Sequence, residues 1–401
     1  MHPRVPPRSE TPIVDRLEGL QRHASSLSNF RERFDSWVHL SKLLRVGRSL
    51  CFLSLVRLEI FVVPFEHLFV DGLKSKTLDT YNMKLKVAST FAGCGGLDFA
   101  FHKDTDNFEV VYVNDFDKDS CDTYEKNFNF KAVCEDICKV TVLPDCDVLT
   151  GGFPCQGFSV ANIRRSENDG RNALYLQLVR ILNDKRPKYF VFENVKGIMS
   201  MGGYETNDDK KNGKGKVIKM ITSDLEKCGY IVNVKLFKMK WYDIPQNRER
   251  VIFFGIRDDI AQRITFNWPE EKQEITKTLR DAISDLPIEY DESIQHVGTK
   301  HKVKVTGYLG NRVLDWDKVS PTITGRGGGT GGPVINIHPS QTRRMTVREY
   351  ARIQTFPDNF VFCGSVSSMY RQIGNAVPPK FSFIIAKLLT NIEKSLHEGV
   401  R

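Results

Sequence analysis

None of the nine cysteines forms a CxxC pair, and their spacings along the chain are irregular. With no patterned spacing and no paired CxxC, neither a disulfide framework nor a zinc ribbon is suggested. Cys134, Cys138 and Cys146 lie near one another with no histidine beside them and read as incidental, without a metal. A reducing, cytoplasmic setting is the expectation that follows. An unbroken apolar run is missing as well. The richest stretch, Leu50 to Val70, is broken by Arg57, Glu59, Pro64 and Glu66, which leaves it short of the roughly 20 apolar residues of a membrane span. It also starts too deep in the chain to read as a secretory signal. Acidic charge is in deficit: 58 Lys and Arg stand against 49 Asp and Glu, a formal charge of +9. That balance favours a polyanionic partner, with nucleic acid the leading candidate. With 401 residues the chain is long enough for two domains and an appendage.

What the chain does contain centres on Thr150-Gly151-Gly152-Phe153-Pro154-Cys155-Gln156-Gly157-Phe158-Ser159, directly after the apolar Val148 and Leu149. Pro154 fixes its own φ and drives Phe153 into an extended conformation, so Cys155 leaves the strand on one defined path. A free thiol with a pKa of about 8.5 is only slightly ionised at neutrality, so a nucleophilic cysteine here needs positive charge or a helix start nearby. A buried, inert thiol is the ordinary fate of a lone cysteine. The proline and glycines on either side argue for the nucleophile.

Phe153-Pro154-Cys155-Gln156 resembles the catalytic motif of the DNA cytosine-5 methyltransferases, and further motifs of that family follow in the family's order from about Lys84 to about Leu389. The resemblance implies an α/β fold: a Rossmann-like, S-adenosylmethionine-dependent large domain over residues 84–258 and 372–392, with a smaller, mostly irregular and β target-recognition domain over 259–371. Residues 1–82 match nothing in the family core. Val38 to Glu59 has leucines and arginines spaced for two short helices, as in a DNA-binding regulator, but the pattern is too weak to support one and the extension reads as dispensable.

Leu85 to Phe91 reads as a buried strand that Ala92-Gly93-Cys94-Gly95-Gly96-Leu97-Asp98 turns into a helix, the strand, glycine turn and helix of a nucleotide-type site. By resemblance, Phe91, Gly93, Cys94, Gly95, Gly96 and Leu97 hold the cofactor. The next strand, Phe108 to Val113, runs into Asp115, an acid placed to accept from ribose hydroxyls. The resemblance adds Phe116 as an adenine platform, Asp136 with Ile137 at the adenine edge, and Leu174 and Asn375 in the same pocket. The charged stretch from Val160 to Asn172 reads as a functional loop, which by resemblance closes over DNA with Ser159 and Arg171 on phosphates.

Tyr189 to Val195 is a strand ending in Glu193, and a glutamate in an apolar pocket can hold a proton near neutrality. Past a glycine- and lysine-rich section from Gly202 to Lys216, read as a solvent loop, alternation puts Gln246, Arg248 and Arg250 on one face. By resemblance that face points at the target base, Arg250 reaches its carbonyl oxygen, and Arg248 supports the cysteine. From about Asp258 to Asn336 the family pattern dissolves, as a target-recognition region should. Arg312 and Arg326 in its glycine-rich loops are either base contacts or parts of connectors. Thr342 to Phe356 has helical spacing, and Gln372 to Pro379 leads into an apolar helix.

The activity implied is methyl transfer to C5 of a flipped-out cytosine in double-stranded DNA, by a monomer serving a restriction system with a separate endonuclease. A transfer-RNA methyltransferase of the same family and a DNA-binding regulator through residues 1–82 are the alternatives.

Overall fold

The computed structural model describes residues 84–154, 173–299, 311–325 and 335–398. Residues 1–82, Cys155, Ser159, Arg171 and Arg326 therefore lie outside the described residues.

Seven strands form one sheet in the order β3-β2-β1-β4-β5-β8-β6. They are β1 (Leu85–Thr90), β2 (Phe108–Asp115), β3 (Val133–Cys134), β4 (Val148–Gly151), β5 (Tyr189–Val195), β6 (Tyr230–Lys238) and β8 (Glu249–Arg257). β1 to β5 pair in parallel, and β8 alone runs the other way between β5 and β6. Near-continuous apolar runs such as Tyr189 to Phe192 are what a sheet buried on both faces demands. Alternation divides them: Tyr189 and Val191 face one core with Ile252 and Phe254, while Phe190 and Phe192 face the other with Val251 and Phe253. Helices Phe99–Lys103 and Pro379–Glu398 cover the first face. Helices Ala173–Lys185 and Lys216–Lys227 cover the second.

The chain leaves β1 for β2 on one side and enters β4 and β5 on the other, so the strand order reverses between β1 and β4. In open α/β sheets the crevice outside the carboxyl ends of such strands is where ligands bind.

A third core gathers Leu279, Ile283, Leu314, Ile323, Met345, Tyr350, Phe356 and Tyr370, and reaches the glycine turn through Cys94 and Phe99. Its strands are short: β9 (Asn311–Val313) pairs with β11 (Ile335–Ile337), and β10 (Ser320–Pro321) pairs with β7 (Gln246–Asn247). The last helix packs back on the first, where the Ala100 amide donates to Ser382 Oγ at 3.0 Å.

Two expectations change. The section from Gly202 to Lys216 is not simply loop, because Thr206 and Asp209 form a capping box that starts helix Asn207–Lys211. The helix expected over Thr342 to Phe356 is confined to Val347–Ile353, since Thr346 and Glu349 form another box and fix its start. Gln372 to Asn375 end helix Val366–Asn375, and the expected apolar helix follows as Pro379–Glu398.

Candidate functional site

A cavity of about 560 Å³ opens at the carboxyl ends of β1, β2, β4 and β5. Phe91 leaves β1 with φ +52°, a left-handed conformation that is strained for an aromatic residue. Gly93 follows at φ +56°, and its amide donates to Asp115 Oδ2 at 2.7 Å. A Cβ on Gly96 would collide with the Val377 carbonyl, so only glycine lets the segment after Asn375 cross the turn this closely.

Asp115 also accepts from the Asp117 amide at 2.9 Å. Its carboxyl, pushed up by burial, thus organises the turn first, with lone pairs left for a ligand. Phe116 is 76% exposed and lines the cavity, a ring unsatisfied by the protein itself. Asp136 accepts from the Cys138 amide at 2.9 Å and shares its wall with Glu135 and buried Ile137. Leu174 and Asn375 close the remaining sides.

Cys94 and Gly95 turn away from the cavity. The Cys94 side chain is buried in the third core, its thiol pushed up by burial, and Gly95 backs onto the rings of Tyr124 and Phe128. They shape the turn without lining it.

At the end of β4, Gly152 lies beside Glu193, where a Cβ would be in ordinary van der Waals contact with Oε2, at 3.5 Å. Phe153 is buried, and its carbonyl accepts from Asn194 Nδ2 at 3.0 Å. That bond clamps the turn two residues before Cys155.

Glu193 is 8% exposed, but its partner is not an apolar wall: Oε1 sits 2.5 Å from Arg250 Nε. Antiparallel register explains the contact, since Glu193 faces Ile252 and Val195 faces Arg250, which makes the two side chains diagonal neighbours on one face.

Of the three side chains expected to converge on the base, only Arg250 lines the cavity. Gln246 and Arg248 are on the same side of the alternation and fully buried against the protein. Gln246 donates to Gln354 Oε1 at 2.8 Å and accepts from the Ile323 amide at 3.0 Å. Arg248 donates to the carbonyls of Ile323, Gly374 and Ala376 at 2.8 to 3.0 Å, and to Asn375 O at 3.5 Å. Burial pulls its pKa down, with repulsion from Arg250 adding to it, while the carbonyl oxygens hold its charge in place. These two residues fasten the third core and Asn375 to the sheet.

A second opening of about 380 Å³ lies on the other side of Arg250, between Lys196 with Glu249 and the backbone of Thr322 to Gly325. It shares Val195, Arg250 and Asn375 with the first. Arg312 belongs to β9, away from both. Arg371, passed over in the sequence, lines the main cavity and pairs with Asp117 at 2.8 Å. Its signal was its place one turn before Asn375 in the same helix. No helix among the described residues is long and apolar enough to cross a membrane.

Residues 85–391 match the family described as C-5 cytosine-specific DNA methylase. The Type II methyltransferase M.NgoFVII of Neisseria gonorrhoeae is 34% identical over 358 residues, covering 80% of this chain and 91% of that protein. M.BsuRI of Bacillus subtilis, also a Type II methyltransferase, is 35% identical, covering 77% and 80%. Among solved structures, the S. pombe Dnmt2 methyltransferase superposes with a TM-score of 0.58 at 23% identity, covering 77% of this chain and 99% of that one, a likeness of fold. The chain belongs to the C-5 cytosine-specific DNA methylase family, enzymes that use S-adenosylmethionine as methyl donor.

Proposed function

We propose that the protein is a sequence-specific DNA methyltransferase that modifies C5 of a flipped-out cytosine through a transient bond between Cys155 and C6, as the modification half of a restriction system. The observation that carries this reading is the Glu193–Arg250 pair, set where the cavity meets the turn that leads to Cys155. A carboxyl and a guanidinium side by side match the N3 edge and the O2 of a cytosine.

Cytosine C5 is a poor nucleophile until something adds across the C5–C6 bond. The Cys155 thiolate attacks C6, Glu193 protonates N3 as charge develops in the ring, and Arg250 holds O2 so that the attack is aimed. The electron-rich C5 then takes the methyl group that S-adenosylmethionine supplies. Water removes the C5 proton, the thiolate leaves and N3 returns its proton to Glu193, which restores the double bond and the enzyme. A stacked base is out of reach of such a cysteine, so the cytosine must be flipped at a cost of a few kcal/mol. For the cofactor, the fit is best in the main cavity: Phe116 for the adenine, Asp115 for the ribose, the turn from Phe91 to Leu97 and Asn375 around the rest, with Asp136, Ile137 and Leu174 along the adenine wall.

The relatives' description as Type II methyltransferases supports duplex DNA over transfer RNA as substrate. The test is an oligonucleotide duplex bearing 5-fluorocytosine, with methyl donor present. A covalent adduct that survives denaturation is expected for the natural chain and not for Cys155→Ala. Accumulation of the adduct in the alanine variant overturns the assignment, and methylation of transfer RNA in place of duplex DNA overturns the substrate.

A further inference from the structure

The main cavity is acidic inside a basic protein. Asp115, Asp117, Glu135, Asp136 and Glu193 line it against Arg250 and Arg371, whereas the whole chain carries +9. Both arginines are engaged by carboxylates of their own, Glu193 and Asp117. An excess of negative charge remains.

Behind the floor lies one more carboxylate. Asp98 is 1% exposed and does not line the cavity. It accepts from the Tyr124 hydroxyl at 3.1 Å, from the Thr150 hydroxyl at 3.3 Å and from the Ser89 hydroxyl. Ser89 does line the cavity, so a single side chain separates this buried acid from whatever the cavity holds. Among the described residues Asp98 has no ion-pair partner. The methyl donor carries a cationic sulfonium, and the spent product carries a neutral thioether in its place. A buried charge is poorly screened and acts over several ångströms.

We propose that Asp98 is a specificity-determining residue whose negative charge, one hydroxyl behind the cavity floor, favours the cationic methyl donor over its neutral product. Hydrogen bonds to adenine and ribose are common to the two molecules and cannot distinguish them. The sulfonium charge is the difference, and Asp98 answers it. The inference rests on the cavity being the cofactor site.

The charge of Asp98 is itself titratable, since burial pushes its pKa up to about 6 against hydrogen bonds from Ser89, Tyr124 and Thr150. Its neighbours stay neutral: burial pushes the Cys94 thiol and the Tyr124 phenol up, and pushes His102, beyond Tyr124, down to about 4. Asp115, on the cavity wall, is also pushed up by burial and competes with it.

The experiment is calorimetric binding of S-adenosylmethionine and of S-adenosylhomocysteine to the full chain without DNA, with folding checked by thermal unfolding. Asp98→Asn is expected to lower the preference for the methyl donor about tenfold, the size of a unit-charge interaction in a partly buried site, with little change for the product. Ser89→Ala keeps the charge and is expected to keep the preference. In the natural chain the preference declines from about pH 8 to about pH 5 as Asp98 takes up a proton, and Asp98→Asn flattens that decline. An unchanged preference in Asp98→Asn overturns the proposal. So does a decline that survives in it, which points to Asp115, or a Ser89→Ala variant as impaired as Asp98→Asn. Should Asp98→Asn fail to fold, a flat pH profile in the natural chain overturns it alone. Phe116→Ala separates the underlying reading, because it weakens both ligands together if the cavity is the cofactor site and neither if it is not.

Discussion

Arg248 and Arg250 stand two residues apart on one side of one segment, and their surroundings give them opposite tasks. Arg248 spends its guanidinium on backbone carbonyls from two distant stretches, at Ile323 and at Gly374 to Ala376. Removing a buried charged donor strands those carbonyls, a loss of about 3 kcal/mol or more. Arg250 lines the cavity, ion-paired with Glu193, and donates through Nη1 to the Glu249 carbonyl at 2.8 Å. Arg248→Ala is therefore expected to lower the urea midpoint sharply and to lose activity along with structure. Arg250→Ala leaves Glu193 without its partner, but at the lining of an open cavity, so it is expected to lower the midpoint less than Arg248→Ala and to lose methyl transfer by at least about a hundredfold, the scale of one lost charge-stabilising donor. If the two variants lose stability equally, the division fails. Alternation identified this face correctly, but alternation reports only direction. Whether a side chain pointing that way meets a ligand or another part of the same chain depends on contacts a hundred residues away.

At the level of elements, the sheet was legible wherever its cause was local. Apolar runs ending in glycine or acid marked β1, β2, β4 and β5, and each ends within a residue or two of its expected place. The caps were less visible. Thr206 with Asp209 and Thr346 with Glu349 are capping boxes whose spacing was present in the sequence, hidden by the lysines and arginines around them. Least legible was the pairing of β8 against β5, which no local pattern encodes and which brings Arg250 to Glu193. Gly255 in β8 shows how tight that pairing is. It stands opposite Phe190 in register, and a Cβ there would collide with the Phe190 ring, itself stacked on Phe192 at 4.5 Å. Gly255→Ala is expected to cost roughly 2 kcal/mol through overpacking, measured by urea unfolding. Phe190→Leu in the same chain is expected to recover part of that loss, because the two sites share one space. Strict additivity of the two losses would show that the collision is not the cause.

Over the whole molecule, the response of folding to pH depends on groups whose protonation differs between folded and unfolded chains. Burial holds His102 down at about 4, below its ordinary value of 6.5, while burial holds Asp98 up at about 6, above its ordinary 3.8. Tyr124 joins them, with its hydroxyl 2.7 Å from His102 Nε2 and 3.1 Å from Asp98 Oδ2. The signs are opposite. As pH falls below about 6.5 the unfolded chain protonates His102 and the folded chain does not, so this residue removes stability until about pH 4. As pH falls below about 6 the folded chain protonates Asp98 and the unfolded chain does not until about 3.8, so this residue returns stability. Each contribution amounts to about 3 kcal/mol at its limit, and across the shared window they nearly cancel. His296 and His338, also pushed down by burial, add a common acid-sensitive background that comparison between variants removes. His102→Gln retains a donor toward Tyr124 without titrating, and its stability is expected to fall less than that of the natural chain between about pH 6.5 and about pH 4.5. Asp98→Asn is expected to fall more over the same range, and the double variant to run close to the natural chain again. Urea unfolding at a series of pH values reads all four curves. Parallel curves for the natural chain and His102→Gln would mean that this histidine takes up its proton alike in the folded and unfolded chains, and that the buried chain from His102 through Tyr124 to Asp98 does not carry the compensation.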